Sequence, residues 1–396
     1  MEVPIAPAPG SANAPVLEVV PRVRVVSVQT SDERGGGEYA GVNLLAILHR
    51  AGADVELLTN DPGVAEGSGV RARHIAIGPK LSRRSVWPVV LGFLPWLVRL
   101  ARELRRTRAR APYDVLLVHY KKEQLMCALL PRRLRAALVW AEWGPLPEEF
   151  GHAPASWLYR LAARRAAAIV AVSEGTSRSL VAAGIRPDKI TVIPNALDPD
   201  EIAFDPHARE FWRHKWGATG DTFVIGVVAR LHRIKRNEVV IDALAHLPAN
   251  VMLVVAGAGP EEEALRERAA PYGDRVRFIP TPRGYVHEIL SACDVAVFAP
   301  APTEGAPQAI AFGHLVGRPV VATAQAGTDE IEPGTGTIVS PPNDPHSLAD
   351  VLRAYRDDPE RLAAEGAHAR RLAATRYDLA RVSAALLTVF VGAAGL

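Results

Sequence analysis

Arg230 and Lys235 stand five residues apart in "RLHRIKRNEVVIDAL", directly after the apolar run "FVIGVVA". Two cations leaving a buried strand suit a diphosphate, because a guanidinium grips it bidentately and an ammonium adds a point charge. A solvated basic turn is the plain alternative, but Arg230 abuts the apolar run. A second cluster lies in "TEGAPQAIAFGHLVGRPVVAT", where Glu304 precedes an apolar helical segment that starts near Pro307. Free amides at that helix start can hold a diphosphate, with Gly305, Ala306 and Pro307 lining the approach. Glu304 can then accept hydrogen bonds from a neutral polyol. A carboxylate beside phosphates is uncomfortable unless it faces hydroxyls, which argues for a sugar. Phe312, eight positions on, sits where a site of this shape wants a second acid.

Other candidates follow other strands. "QTSDERGGGEYAGVNLLAIL" places Gly35, Gly36 and Gly37 ahead of a helix. The dinucleotide fingerprint has different spacing, and Glu38 would repel a pyrophosphate, so a flexible turn and a ligand loop stay equally open. In "TPRGYVHEIL", Arg283 and Tyr285 can face a nucleobase. His119 ends "DVLLVH" and reads equally as a satisfied structural histidine or a ligand contact. Glu142 and Trp143 end the next apolar run; an acid and an aromatic at a cleft edge suit a carbohydrate ring, although a core Trp is the more frequent outcome.

The elements that must position these residues alternate along the chain. Strand candidates in the first half are "RVRVVSV", "DVELLT", "HIAI", "DVLLVH", "ALVWA", "AIVAVS" and "TVIP". In the second half they are "FVIGVVA", "VMLVVAG", "VRFIP", "VAVFAP", "PVVAT" and "GTIVS". These runs are apolar throughout, as strands covered on both faces are, and helical segments lie between them. That alternation predicts doubly wound α/β domains, and thirteen strands predict two of them. The boundary falls in "PNALDPDEIAFDP", Pro194 to Pro206. Ligands of such domains bind beyond the carboxyl ends of the strands, so two facing domains make a deep cleft lined by post-strand loops.

Composition narrows the class. The 396 residues are 48% hydrophobic and 22% charged, which is globular, and a net charge of +3 gives a nucleic-acid partner no support. Two cysteines, Cys127 and Cys293, in unrelated contexts suggest a reducing, cytoplasmic setting and no metal site. Residues 1–20 read as a disordered Pro/Ala-rich leader. Val86 to Arg110 is half apolar, half basic; it reads as an amphipathic helix packed on the domain, with reversible contact to an anionic membrane as the alternative.

The series "RGGGEYAGVNLL", "AAAIVAVSEGTSRSLVAAGI", "DKITVIPNALD", "VVARLHRIKR", "LVVAGAGPEEEAL" and "ACDVAVFAPAPTEGAPQAIAFGHLVGRPVVAT" resembles glycosyltransferase family 4, from about Arg22 to the C-terminus. The resemblance implies a GT-B fold of two facing Rossmann-like domains: an acceptor-binding domain over 21–200, a nucleotide-sugar domain over 206–375, and a last segment, 376–396, crossing back to the first. It implies transfer with retention, without a required metal or other cofactor, from a UDP- or GDP-type sugar. Arg230 and Lys235 then bind the diphosphate and stabilise the leaving group, and Glu304 is placed against the donor sugar. Gly36 and Gly37 lie near phosphate and acceptor, with Glu38, Glu142 and Trp143 on the acceptor side. His119, Arg283 and Tyr285 contact the donor. The departure is Phe312, which replaces a glutamate that holds the ribose hydroxyls; losing such a charged hydrogen bond costs about 1.5–3 kcal/mol.

The expected function is therefore a retaining hexosyl-type transferase that glycosylates a small molecule or a cell-envelope glycan. A non-catalytic partner protein of the same fold, motivated by Phe312, and a nucleotide-sugar epimerase are the alternatives. A small-molecule or lipid-linked acceptor, a homodimer and peripheral contact with the inner face of the membrane are all compatible with the chain.

Overall fold

In a computed structural model of the chain, the described residues are 23–31, 36–79, 81, 86–147, 150, 154–195, 197–280, 285–300, 308–324, 328, 331–341 and 343–396. The leader expected over 1–20 lies outside them.

Strands β1 (Arg24–Val28), β2 (Asp54–Thr59), β3 (Arg71–His74), β4 (Val115–Val118), β5 (Ala137–Glu142), β6 (Ala168–Ala171) and β7 (Ile190–Val192) form one parallel sheet. Its order is β3-β2-β1-β4-β5-β6-β7. Helices α1 (Gly36–Arg50), α2 (Val86–Arg110), α3 (Lys121–Leu129), α4 (Arg132–Arg135), α5 (Ala155–Ala163) and α6 (Glu174–Ala182) connect the strands. Buried residues of α2, α3, α5 and α6 share one apolar core, and α1 belongs to a second core on the other face. A sheet covered on both sides needs apolar residues at every position, which is why the strands show no alternation.

The second half begins with α7 (Pro206–Trp216), whose first amides are capped by Asp205. Strands β8 (Phe223–Val228), β9 (Val251–Ala256), β10 (Val276–Ile279), β11 (Val295–Phe298), β12 (Val320–Thr323) and β13 (Gly336–Val339) form a second parallel sheet, ordered β10-β9-β8-β11-β12-β13. Helices α8 (Asn237–Ala243), α9 (Glu262–Ala269), α10 (Val286–Ala292), α11 (Gln308–Val316), α12 (Pro345–Asp357) and α13 (Pro359–Arg376) complete this half. The last helix, α14 (Leu379–Ala394), returns to the first sheet, burying Val382, Leu386, Leu387 and Phe390 in the core that α1 shares. The run Pro359–Ala394 is long and apolar enough to cross a membrane by length and composition. In the fold, however, one face of its apolar part is spent on this packing.

Both sheets change winding direction at one point, between β1 and β4 in the first and between β8 and β11 in the second. A crevice opens there at the carboxyl ends of the strands, because the two connecting chains leave toward opposite faces. The segment between the halves is clamped by Arg370 of α13, whose guanidinium donates to the carbonyls of Pro199, Ile202 and Leu315.

Two local expectations need correction. The edge strand is Arg71–His74 rather than "HIAI". Ile75 N–H still donates to Thr59 O at 2.7 Å, but Ile75 and Ile77 turn down into the core. An edge strand is held on one side only, so its apolar end is free to leave the ladder and fill the space below α2. Gly36 and Gly37 belong to the first turn of α1 rather than to a loop before it. Helix α2 itself is one helix across Pro95. The segment Ile77–Pro79 ahead of it is held by Lys122, a fully buried ammonium that donates to the carbonyls of Ile77, Gly78 and Pro79.

Candidate functional site

The second sheet supplies two cations at its switch point. Backbone of Ala229–Leu231 continues beyond β8 as a ladder against the β9 turn. Ala229 N–H donates to Ala256 O at 3.1 Å, Leu231 N–H to Ala258 O at 3.0 Å, and Glu261 N–H to Leu231 O at 3.0 Å. This approach is possible only because the turn carries glycines. A Cβ on Gly257 would stand 1.9 Å from Ala229 O, and one on Gly259 would stand 2.2 Å from Leu231 O. Arg230, exposed, is thus held between two pinned neighbours. Lys235 closes a short turn in which the His232 ring accepts from Ile234 N–H at 3.3 Å. The Lys235 ammonium lies 5.4 Å from the centroid of the Phe298 ring, at the end of β11. The two strand ends flanking the switch point are therefore bridged by one of the predicted cations.

Of the other candidates in this half, Tyr285 stands at the start of α10 with its ring half in solvent. Arg283, Glu304, Gly305, Ala306 and Pro307 lie outside the described residues. Phe312, on α11, is partly buried, and packs against two apolar clusters that include Ile310, Leu197, Ala311, Leu315 and Tyr377. The ring where a ribose-binding acid is expected is thus part of a seam joining α11 to the interdomain segment and to α13.

The first sheet gathers a different group at its switch point. His119, 3% exposed, ends β4, and its ring stacks on Trp143 at 5.7 Å and 5°. Trp143 Nε1–H, which can only donate, reaches His119 Nδ1 at 3.2 Å; the ring's own proton is therefore on Nε2, shared with Ser27 Oγ at 2.7 Å. Both ring nitrogens are engaged within the protein, the arrangement of a structural histidine. Burial pushes its pKa down to about 3, against the charge of Glu38. Glu38 accepts from the Tyr120 hydroxyl, and its backbone oxygen accepts from Gln29 Nε2 at 2.9 Å. Glu142 is buried and takes three donors: Lys121 Nζ, Gln124 Nε2 at 2.7 Å and the Tyr159 hydroxyl at 2.7 Å. A carboxylate so occupied holds Lys121 in place. Burial pushes the Lys121 ammonium down and the Tyr159 phenol up. A narrow crevice runs beside this network, between α1 and α14, lined in part by Asn43, Glu142, Trp143 and Asn195.

Sequence reasoning missed the two glycines that seat Arg230, and it missed Tyr120, Lys121 and Tyr159. "VHYKKEQ" did place Tyr120 and Lys121 after a strand, but nothing local marks which of its side chains turn inward. Among the described residues no three His, Cys, Asp or Glu side chains gather in a way that could hold a metal ion.

The neutral His119 has a consequence for stability. A free histidine protonates near pH 6.5, whereas the folded ring resists protonation down to about 3. Between those values the unfolded chain binds the extra proton, so native stability falls as pH falls. By pH 5 this group alone costs about 2 kcal/mol. Urea midpoints at pH 7.5 and pH 5 should differ less in His119→Gln than in the unaltered protein; equal differences would remove His119 from the acid response.

The profile described as Glycosyltransferase Family 4 matches residues 34–201, and that of Glycosyl transferases group 1 matches residues 222–358. D-inositol 3-phosphate glycosyltransferase of Xylanimonas cellulosilytica is 29% identical, over 94% of this chain and 97% of its own length. The protein of the same description from Kineococcus radiotolerans is 28% identical, over 89% and 91%. Among solved structures, Anabaena Alr3699/HepE in complex with UDP superposes with a TM-score of 0.80 at 22% identity, covering 93% of this chain and 100% of that one. Sucrose-phosphate synthase of Thermosynechococcus elongatus superposes with a TM-score of 0.78 at 17% identity, covering 94% and 99%. The two parallel sheets are the two Rossmann-like domains of a GT-B fold, and the chain belongs to glycosyltransferase family 4.

Proposed function

We propose that the chain, a glycosyltransferase, moves a sugar with retention from a nucleoside diphosphate sugar held by residues 206–375 to a hydroxyl of an acceptor held by residues 21–200. The observation that carries the reading is the pair Arg230 and Lys235 at the second switch point, one pinned by the β9 turn and the other bridging to β11. As the bond to the sugar lengthens, negative charge grows on the departing diphosphate, and these cations neutralise it. The acceptor hydroxyl attacks from the face the diphosphate leaves, and a phosphate oxygen takes its proton. The cations supply the charge the leaving group needs, so the reading requires no metal ion. Glu304 accepts from sugar hydroxyls, Gly305, Ala306 and Pro307 lead into the amides of α11, and Arg283 with Tyr285 face the base. Glu38 and Trp143 border the acceptor, with Glu142 holding Lys121 beside them.

A uridine diphosphate donor is the first to test, because a structural neighbour was solved with UDP and with UDP-glucose. Relatives named for D-inositol 3-phosphate support an inositol phosphate or a similar polyol as acceptor. The test is nucleotide release from a panel of UDP- and GDP-sugars, with and without inositol phosphate and other polyols. Release that needs an acceptor supports transfer; turnover without one would instead indicate an epimerase. Calorimetric titration with UDP and GDP completes the test, since binding of neither would favour the non-catalytic reading.

Phe312 gives a separate expectation. Phe312→Glu supplies a carboxylate for the ribose and should tighten nucleoside diphosphate binding by about 1.5–3 kcal/mol. It should also lower the urea midpoint, since the ring is part of an apolar seam. Unchanged affinity in a folded variant would show that the ribose does not reach this position.

A further inference from the structure

Beyond Leu231, the loop that carries Lys235 has little packing of its own, since Arg233 and Ile234 are exposed. Its shape comes from successive backbone turns. His232 N–H donates to Arg230 O at 2.8 Å, Lys235 N–H to His232 O at 2.8 Å, and Arg236 N–H to Arg233 O at 3.3 Å. Where such a loop stands depends on how its two ends are held. One end is seated against the backbone at Gly257 and Gly259. The other is Arg236.

Arg236 lies in the left-handed region, at φ 48° and ψ 41°, between the turn that holds Lys235 and the first residue of α8. Its carbonyl accepts from Val239 N–H at 3.1 Å, so the residue belongs to both. Glycine takes this conformation without strain, and arginine does not. What arginine adds is reach: its Nη1 donates to Asn343 Oδ1, 107 positions later, in the connection from β13 to α12. That partner is anchored. Asn343, with φ 71°, directly precedes Asp344, whose carboxylate caps α12 by accepting from His346 N–H at 3.0 Å and from the Ser347 hydroxyl. An exposed hydrogen bond of this kind adds little to stability, because water replaces it when it breaks. It does tie the second end of the loop to the start of another helix.

We infer that Arg236 is a positioning residue for transfer: through its tie to Asn343 it holds the Lys235 ammonium where charge develops on the departing diphosphate. The inference rests on the reading of Arg230 and Lys235 as the diphosphate cations. A third contact with the diphosphate is disfavoured by the direction of the Arg236 guanidinium. It reaches toward the loop after β13, at the edge of the sheet, whereas the crevice opens between β8 and β11.

The test compares Arg236→Asn with Asn343→Gly. Asparagine and glycine both tolerate left-handed backbone, so each change removes one partner of the tie and leaves the turn in place. Steady-state kinetics use the best donor of the nucleotide panel, and urea midpoints matching the unaltered protein show that the fold is kept. Each variant should lower kcat about tenfold, with KM for the donor changed by less than about threefold. The double variant should be no worse than either single one, because both remove the same contact. In a Lys235→Ala background, Arg236→Asn should have no further effect; a merely structural role would not depend on Lys235 in this way. The proposal is overturned if Arg236→Asn keeps full kcat, or if Asn343→Gly does not share its loss. It is equally overturned if Arg236→Asn costs the same factor with and without Lys235. Full activity of Lys235→Ala alone would remove the cation-pair reading and this proposal with it. A loss in Lys235→Ala beside an unaffected Arg236→Asn would remove this proposal only.

Discussion

Replacing Arg230 with alanine should lower kcat/KM by about a hundred- to a thousandfold, and Lys235→Ala by a similar factor, with little change in stability. Neither side chain belongs to an apolar core; Arg230 is exposed, and Lys235 is only partly covered. Their value would appear when a diphosphate acquires charge next to them, because fixed charges already placed where charge develops need no reorganisation at the moment of reaction. An interaction that strengthens between ground state and transition state shows in kcat rather than in KM alone. Steady-state kinetics with the best donor from the nucleotide panel, together with urea unfolding of each variant, make the measurement. The double variant should fall by less than the product of the single effects, because both cations serve the same developing charge. Full activity in either single variant would sink the assignment of that residue.

Gly259→Ala should disable the same machinery without touching a charged group. Its new methyl would meet Leu231 O at 2.2 Å, and this neighbour is backbone, so the turn or the Arg230 segment must move. Gly257→Ala is more severe: its methyl would meet Ala229 O at 1.9 Å, and its φ of +153° lies in a region that L side chains rarely adopt. Each should cost on the order of 2–4 kcal/mol of stability. Each should also weaken activity well beyond what stability alone explains. To separate the two effects, kcat/KM and nucleoside diphosphate affinity are measured well below the unfolding temperature. A folded Gly259→Ala protein with normal affinity and turnover would show that the clearance does not position Arg230.

Much of the architecture was legible in the sequence because parallel strands advertise themselves. "VMLVVAG" has no polar alternation, which fits a strand buried on both sides, and it lies at Val251–Ala256 in the second sheet. The Pro- and Asp-rich stretch after "TVIP" likewise separates the two sheets, since Asp205 caps the next helix. The edge strand was misplaced by local composition: Ile75 and Ile77 look like strand residues, but they are apolar because they fill the core below α2.

The candidate site was legible in part. Arg230 and Lys235 could be read as cations after a strand. Chain order alone could not bring Lys235 to Phe298, sixty-three positions later, or lay Gly257 and Gly259 on the backbone beside Arg230. Glu142 shows what a local reading leaves out. An acid at a strand end reads as a ligand group, yet Lys121, Gln124 and Tyr159 already take its oxygens. His119 was left open between a structural and a ligand role, and the engagement of both ring nitrogens by Ser27 and Trp143 favours the structural one.

What the sequence by itself determined was the alternation of buried strands and helices, the two-domain division it implies, and the chemical types at the strand ends. Those follow from local rules, since burial on both faces and the start of a helix each leave a mark within a few residues. Which strand ends become neighbours, which polar groups are consumed by one another, and which helix faces are left uncovered were decided only by the tertiary structure. Hydrogen bonds and packing between distant segments set those outcomes, and no short stretch of this chain carries a record of them.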